Sequence, residues 1–202
     1  MPKIRFSPTE LRIIHNSKFF YTKASATLKI DSLLSEVRDE IKSIIEREKT
    51  IFPKEVDIRT GKIFRGENYR GLPYLVLDYP KYFGNDSVFT VRTMFWWGNF
   101  FSCTLHLQGK ALEERRNLLI QNEKLLRKKD IYLCVNKTPW QYYYTKENYV
   151  LADTFSEDAL NHLFMTKDFV KLSRKIPLKD YTKLKKFAGE SFRMFSSVIS
   201  AQ

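Results

Sequence analysis

The sequence predicts an α+β fold, in which an antiparallel β-sheet with a central Gly98-Asn99 hairpin is covered by N-terminal and C-terminal helices. Two observations predict the sheet and its cover: runs rich in β-branched and aromatic residues flank Gly98-Asn99, and amphipathic helical patterns lie near both ends of the chain. A third is that helices and strands come in separate runs instead of alternating regularly, which matches helices packed on an antiparallel sheet. No flexible linker interrupts residues 1–202, so we expect a single α+β domain.

Two helices are predicted before the sheet. Ser7-Pro8-Thr9-Glu10 has the form of a capping box with proline at the first helical position, so a helix should begin there and run to about Tyr21. We expect it to bury some of Leu11, Ile14 and Phe19. The next helix ends near Thr50 to Pro53 and has a regular apolar stripe of Leu33, Leu34, Val37, Ile41, Ile44 and Ile45.

The central hairpin and the elements after it follow from turn and periodicity signals. Gly and Asn tolerate the positive φ angles of a two-residue turn, which would pair Trp97 with Phe100. After the hairpin we predict a helix over 111–129 and β-like runs over 131–136 and 142–151. A Thr154/Glu157 capping box then begins another helix, and a last helix covers about 179–200.

The Trp97–Phe100 pairing assigns each hairpin residue to one side of the sheet, since alternate side chains point to opposite faces. One side would carry the apolar set with Arg92 opposite Leu105. The other would mix aromatic side chains with Thr93, Ser102, Thr104 and His106. A mostly apolar surface with a few convergent polar groups is typical of small-ligand sites, although the same polar residues can simply accommodate a packed helix.

Two further places are candidates for binding. The polar stretch from Arg65 to Tyr74 is expected to be a loop beside the sheet, and its binding candidates are Arg65, Glu67, Tyr69, Arg70 and Tyr74. Arg92 needs a partner among apolar neighbours; we expect exposure at the sheet edge or an ion pair with an acid such as Asp78 in preference to a bound anion.

Composition limits the classes of function. The hydrophobic fraction of 43% argues against disorder, and no apolar stretch is long enough to span a membrane. No secretory signal is found at the N-terminus, so we expect a cytoplasmic location, with Cys103 and Cys134 reduced. We expect neither a metal nor a cofactor, because the histidines lie far apart and no nucleotide-binding or hydrolase motif occurs.

The net charge of +12 raises the expectation of a polyanionic partner. Residues 1–66 hold 14 basic and 9 acidic side chains and residues 167–202 hold 9 and 3, against 12 and 11 between them. The basic C-terminal residues are Lys171, Arg174, Lys175, Lys179, Lys183, Lys185, Lys186 and Arg193.

Three hypotheses follow. The first is a non-catalytic domain that binds a small ligand or a protein partner. The second is a protein that binds nucleic acid through its basic ends, and the third is an enzyme whose site is assembled from scattered residues. The sequence leaves the ligand and the oligomeric state open.

Overall fold

Seven antiparallel strands form one sheet in the order β1-β2-β3-β4-β7-β5-β6 in the computed structural model, which describes residues 3–50, 52–127 and 130–200. The strands are β1 (Lys62–Tyr69), β2 (Leu72–Phe83), β3 (Ser87–Trp96), β4 (Phe100–Gly109), β5 (Tyr132–Cys134), β6 (Tyr149–Leu151) and β7 (Phe169–Pro177). The helices are α1 (Pro8–Ile14), α2 (Ser17–Glu48), α3 (Lys110–Glu113), α4 (Arg116–Gln121), α5 (Glu123–Leu126), α6 (Glu157–Thr166) and α7 (Leu184–Ile199).

The α+β prediction is confirmed, because helices from both ends of the chain cover one side of the sheet, which we call the helix face. The predicted stripes of α2 and α7 supply much of this core, with Leu34, Ile41, Leu184 and Phe195 at 0% exposure. The strands contribute the inward set Leu75, Leu77, Phe89, Val91, Phe95, Phe101, Cys103, Leu105, Leu107 and Leu172. Burial of these apolar side chains is the main force that holds the helices on the sheet.

The central hairpin forms, but the predicted pairing of Trp97 with Phe100 is wrong. Phe100 pairs with Trp96, which leaves a three-residue loop closed by the Asn99 amide donating to the Trp96 carbonyl at 3.0 Å. Only Gly98 has a positive φ, of 71°, whereas the expected turn needs positive φ at both central residues.

The one-residue difference moves every residue of β4 to the other side relative to β3. Arg92 consequently lies opposite Thr104 instead of Leu105. With this register the inward residues of both strands bury their apolar side chains under the helices, and that gain decides the pairing.

The stretch from Arg65 to Tyr74 is a second hairpin and not the expected loop. Tyr69 pairs with Leu72 around a two-residue turn in which Arg70 and Gly71 have φ angles of 52° and 81°. This turn has the double positive φ that was expected at Gly98-Asn99.

Three helical predictions also need correction. The capping box of Ser7 and Glu10 is present, yet α1 ends at Ile14, and Leu11, Ile14 and Phe19 are 41%, 52% and 49% exposed instead of buried. The helix over 111–129 is divided into the short helices α3, α4 and α5, and its last two residues lie outside the described part. Helix α6 is capped by Ser156 instead of Thr154.

Strand β7 was not predicted, although it joins the central hairpin to β5 and β6. The strand begins Phe169-Val170-Lys171-Leu172-Ser173. All five of these residues are buried, although Lys171 and Ser173 are polar. Conversely, most of the β-like stretch 142–151 is irregular, with only Tyr149–Leu151 in a strand.

Candidate functional site

The side of the sheet opposite the helices carries a row of cross-strand partners. From β1 to β5 these are Lys62, Asp78, Arg92, Thr104, Ser173 and Tyr132. We call this side the tyrosine face, because Tyr142, Tyr143 and Tyr144 of the irregular segment 136–148 pack on it. This segment, the tyrosine cover, buries the part of the face around β4 and β7.

Lys171 holds the tyrosine cover on the sheet. Its ammonium group donates to the main-chain carbonyls of Pro139 and Gln141, both at 2.6 Å, and lies 3.8 Å from the centre of the Tyr142 ring. The residue is 0% exposed, and burial lowers the pKa of Lys171 to about 7. Two carbonyl acceptors and an aromatic ring offset part of the cost of burying this cation.

Tyr69 and Arg70 make a second attachment of the cover, at the β1–β2 turn. The Tyr142 amide donates to the Tyr69 hydroxyl at 2.6 Å, and that hydroxyl donates to the Gln141 side chain at 3.3 Å. The Arg70 guanidinium lies 4.2 Å from the centre of the Tyr143 ring. The geometry thus gives these two predicted binding residues a structural role.

A chain of hydroxyl groups connects the cover to the centre of the sheet. The Thr104 and Ser173 hydroxyls lie 2.6 Å apart, and the Tyr144 hydroxyl bonds Ser173 and donates to the Arg174 carbonyl at 3.2 Å. Burial raises the pKa of Tyr144, so its phenol stays neutral. Ser102 is buried beside this chain at 1% exposure.

His106 lies under the cover without a well-aligned hydrogen bond to either ring nitrogen within the described residues. Its ring contacts Trp140 edge-on at 5.6 Å, and Gln108 approaches it without completing such a bond. Burial, together with the charges of Lys171 and Arg92, lowers the pKa of His106 to about 3. The imidazole is therefore neutral at physiological pH.

Thr93 does not belong with the other predicted polar residues. It pairs with Cys103 on the helix face, where its hydroxyl lies 4.0 Å from the thiol sulfur. Ser102, Thr104 and His106 share the tyrosine face with Arg92 instead. The predicted mixed face therefore combined residues from both sides, because it depended on the wrong register.

Arg92 forms the expected ion pair with Asp78. Its Nε and Nη2 donate to the two carboxylate oxygens at 2.7 and 2.8 Å, and Nη1 donates to the Tyr142 hydroxyl at 2.7 Å. The Arg92 and Asp78 side chains are 16% and 3% exposed. Burial works against the charge of Arg92, but hydrogen bonding to Asp78 outweighs it and raises the pKa.

Beside this ion pair, the tyrosine face is open and forms a basin of about 440 Å³. Its lining residues come from β1, β2 and β3 and are Phe64, Arg65, Tyr74, Val76, Asp78, Lys81, Phe83 and Arg92. Of the predicted site residues, the basin brings together Tyr74 and Arg92. Arg65 borders it, but this residue pairs with Leu75 of the helix face and its guanidinium is bonded to Asp31 of α2 at 2.7 Å. Glu67 lies apart from the basin, exposed and paired with Lys23 at 2.8 Å.

Sequence reasoning missed four residues of the basin, namely Phe64, Val76, Lys81 and Phe83. The signal for Phe64 is its alternation with Lys62 and Gly66 along β1, which can be recognised only when this stretch is treated as a strand. A second cavity, of about 150 Å³ near Val56, Tyr82 and Arg115, lies apart from these residues and is smaller than typical ligand sites.

The basic C-terminal residues do not form one free strip. Lys171 is buried, Arg174 donates to Ser191, and four of the remaining cations approach carboxylates within 4.0 Å. These four pairs are Lys183–Asp180, Lys185–Glu40, Lys186–Glu190 and Arg193–Glu48.

The fold and site define an α+β protein whose antiparallel sheet is covered by helices on one side and by tyrosines around an open basin on the other. Comparison with protein-family models, curated proteins and solved structures finds no match for this chain. None of the helices in the described ranges combines the length and apolar character needed to cross a membrane.

Proposed function

We propose that the chain is a non-catalytic binding domain that takes a small aromatic anion in the basin. The observation that carries the proposal is the composition of the basin, in which aromatic rings and cations line one concave surface. Its volume of about 440 Å³ is within the range of small-molecule sites, and apolar walls with a few fixed polar groups are their usual construction.

The charge of the basin favours an anion. Lys81 and Arg92 oppose the single carboxylate of Asp78, which is already bonded to Arg92, whereas the guanidinium of Arg65 is paired with Asp31 of α2 at 2.7 Å. No carboxylate of the described chain forms an ion pair with Lys81 within 4.0 Å, and Asp57 feels its charge only from a longer distance, so we expect the ammonium group to be open to a ligand. Arg92 uses three of its five N–H groups on Asp78 and Tyr142, and the other two can donate to a bound carboxylate or phosphate.

The apolar part of the basin favours an aromatic ligand. Phe64 and Phe83 are 43% and 45% exposed, which is uncommon for phenylalanine, and Tyr74 lies with them. An aromatic ring placed among these side chains gains from burial and from edge or stacked contacts.

A non-catalytic role is favoured because Lys171 and His106, the two basic groups whose pKa values are strongly lowered, are out of a ligand's reach. Lys171 and His106 are 0% and 1% exposed beneath the tyrosine cover. Shifted pKa values often mark catalytic groups, but here burial is their main cause, and Lys171 is already bonded to two carbonyls. Within the basin, Asp78 is held by Arg92 and is not free to act as a general base.

The proposal is tested by titrating the protein with three probes of similar size: benzoate, benzamide and cyclohexanecarboxylate. Ligand-detected NMR or calorimetry should show benzoate binding about tenfold tighter than either of the others, since each of these lacks one of the two features that the basin recognises. Because the attraction involves charges, the preference over benzamide should weaken as salt is added.

Two single variants locate the binding. Lys81→Gln and Phe83→Ala should each weaken benzoate binding several-fold, whereas Lys146→Gln, which removes an exposed cation elsewhere, should leave it unchanged. Equal affinity for benzoate and benzamide would overturn the anion preference. Benzoate binding that survives both basin variants would overturn the location.

A further inference from the structure

Residues 3–30 form a helical arm in which no side chain is buried, and of its large apolar residues only Ile30, at its end, packs against the core. It consists of the segment before α1, helix α1 and the first part of α2. The buried stripe of α2 begins only at Leu34. Before that point, α2 contacts the edge strand β1 through the ion pairs Lys23–Glu67 and Asp31–Arg65, at 2.8 and 2.7 Å.

This segment, which we call the basic arm, contains many exposed apolar side chains. Nine of the sixteen large apolar residues that are exposed in the described chain belong to it. They are Ile4, Phe6, Leu11, Ile13, Ile14, Phe19, Phe20, Tyr21 and Leu28. A surface of this kind normally marks a site of contact with a partner or a membrane.

The arm is also strongly basic. It holds six basic side chains against the single carboxylate of Glu10, which is used in the capping box with Ser7. Of the six, only Lys23 has an ion pair among the described residues. The other five, all exposed, are Lys3, Arg5, Arg12, Lys18 and Lys29.

We propose that the basic arm attaches the protein to the surface of an anionic phospholipid bilayer. Cations interspersed with aromatic and aliphatic side chains are the pattern of segments that lie in the membrane interface, where the rings and aliphatic groups enter the acyl boundary and the cations meet the head groups. Long basic side chains can reach the head groups while their methylene stems stay in the apolar layer.

The charge and apolar content of the arm favour an anionic bilayer over a second copy of the chain or a nucleic acid. A second copy of the arm would bring another five unpaired cations against the first, which opposes association. Nucleic acid would satisfy the cations but would leave exposed aliphatic side chains such as Ile4, Ile13 and Leu28 with little to gain. An anionic bilayer accommodates both features at once.

The test is flotation of the full chain with vesicles of phosphatidylcholine containing about 30% phosphatidylserine, compared with pure phosphatidylcholine. The protein should float with the anionic vesicles and not with the neutral ones. The triple variant Arg5→Gln/Arg12→Gln/Lys18→Gln should lower the partition coefficient about a hundredfold, since each cation near such a surface contributes about fivefold. The triple variant Ile4→Gln/Phe6→Gln/Tyr21→Gln should also abolish flotation.

The matched control is Lys42→Gln/Lys124→Gln/Lys146→Gln, which removes three exposed cations outside the arm and should change the partition coefficient less than twofold. Both arm variants should unfold at the wild-type temperature, because all the substituted side chains are exposed. Three results would overturn the proposal: no flotation with anionic vesicles, flotation that survives loss of the apolar residues, or an arm-dependent dimer in sedimentation velocity without lipid. Benzoate binding does not depend on the arm, so the two proposals fail separately.

Discussion

The ion pair of Asp78 and Arg92 supports a sharp prediction about stability. The single variants Asp78→Leu and Arg92→Met should each lower the free energy of unfolding by about 3 kcal/mol, because each leaves one charge buried without its partner. The magnitude is at the lower end of the range for buried pairs, since Arg92 retains 16% exposure and can be partly hydrated. In the double variant both charges are gone, and the loss should be under about 2 kcal/mol instead of the additive value of about 6.

The assay is urea unfolding followed by the fluorescence of the tryptophans, with the free energy taken from linear extrapolation and the slope compared between variants. The exposed pair Lys183–Asp180 has a similar length, 2.8 Å, and serves as the control; its single variants should cost less than about 1 kcal/mol. If the Asp78 and Arg92 effects add to within about 0.5 kcal/mol, the two side chains are not coupled and the described pairing is wrong.

Three more predictions concern the tyrosine face. As pH falls from 6.5 towards 3, His106 takes up a proton in the unfolded chain but not in the native protein, where its pKa is about 3. This difference should lower the free energy of unfolding by up to about 4 kcal/mol. Urea unfolding at several pH values should show a smaller loss for His106→Gln. Lys171 has the same sign in a higher pH window: its folded pKa of about 7 lies below the ordinary 10.5, so stability should rise with pH by up to about 1.4 kcal/mol per unit between 7 and 9.5, and Lys171→Met should flatten that rise. Tyr69→Phe leaves the Tyr142 amide without its acceptor and should cost about 1–2 kcal/mol in thermal or urea unfolding; a cost no greater than that of Tyr74→Phe would contradict the anchoring role.

The sequence predicts the helix face well, because burial there follows simple periodicity. The stripes that begin at Leu34 and Leu184 are apolar at helical spacing, and both are buried as expected. Periodicity reports which residues share a side of one element, and on this face every element has a clear apolar side.

The tyrosine face could not be predicted in the same way, because its assembly depends on register and on distant contacts. One extra residue in the loop after Trp96 moves Arg92 from Leu105 to Thr104, and local turn preferences did not reveal that residue. The burial of Lys171 depends on carbonyl groups some thirty positions earlier in the chain, a relation that no local pattern contains.

Part of the basin could be predicted because its chemistry is local. Arg92 had to find a partner and Asp78 was a candidate, and this pairing is confirmed. Tyr74 and Arg65 are predicted as polar groups beside the sheet; Tyr74 lines the basin, whereas Arg65 only borders it and is paired with Asp31. Phe64 and Phe83 were missed because an exposed phenylalanine cannot be distinguished from a buried one before the edge strand is placed.

The central claim is that β3 and β4 pair so that Arg92 lies opposite Thr104, since that register puts Ser102, Thr104 and His106 on the same side of the sheet as Arg92 and Asp78. Cross-strand nuclear Overhauser effects between backbone protons measure the register directly. We predict contacts that pair Arg92 with Thr104 and Trp96 with Phe100. Contacts that pair Arg92 with Leu105 and Trp97 with Phe100 would contradict the account.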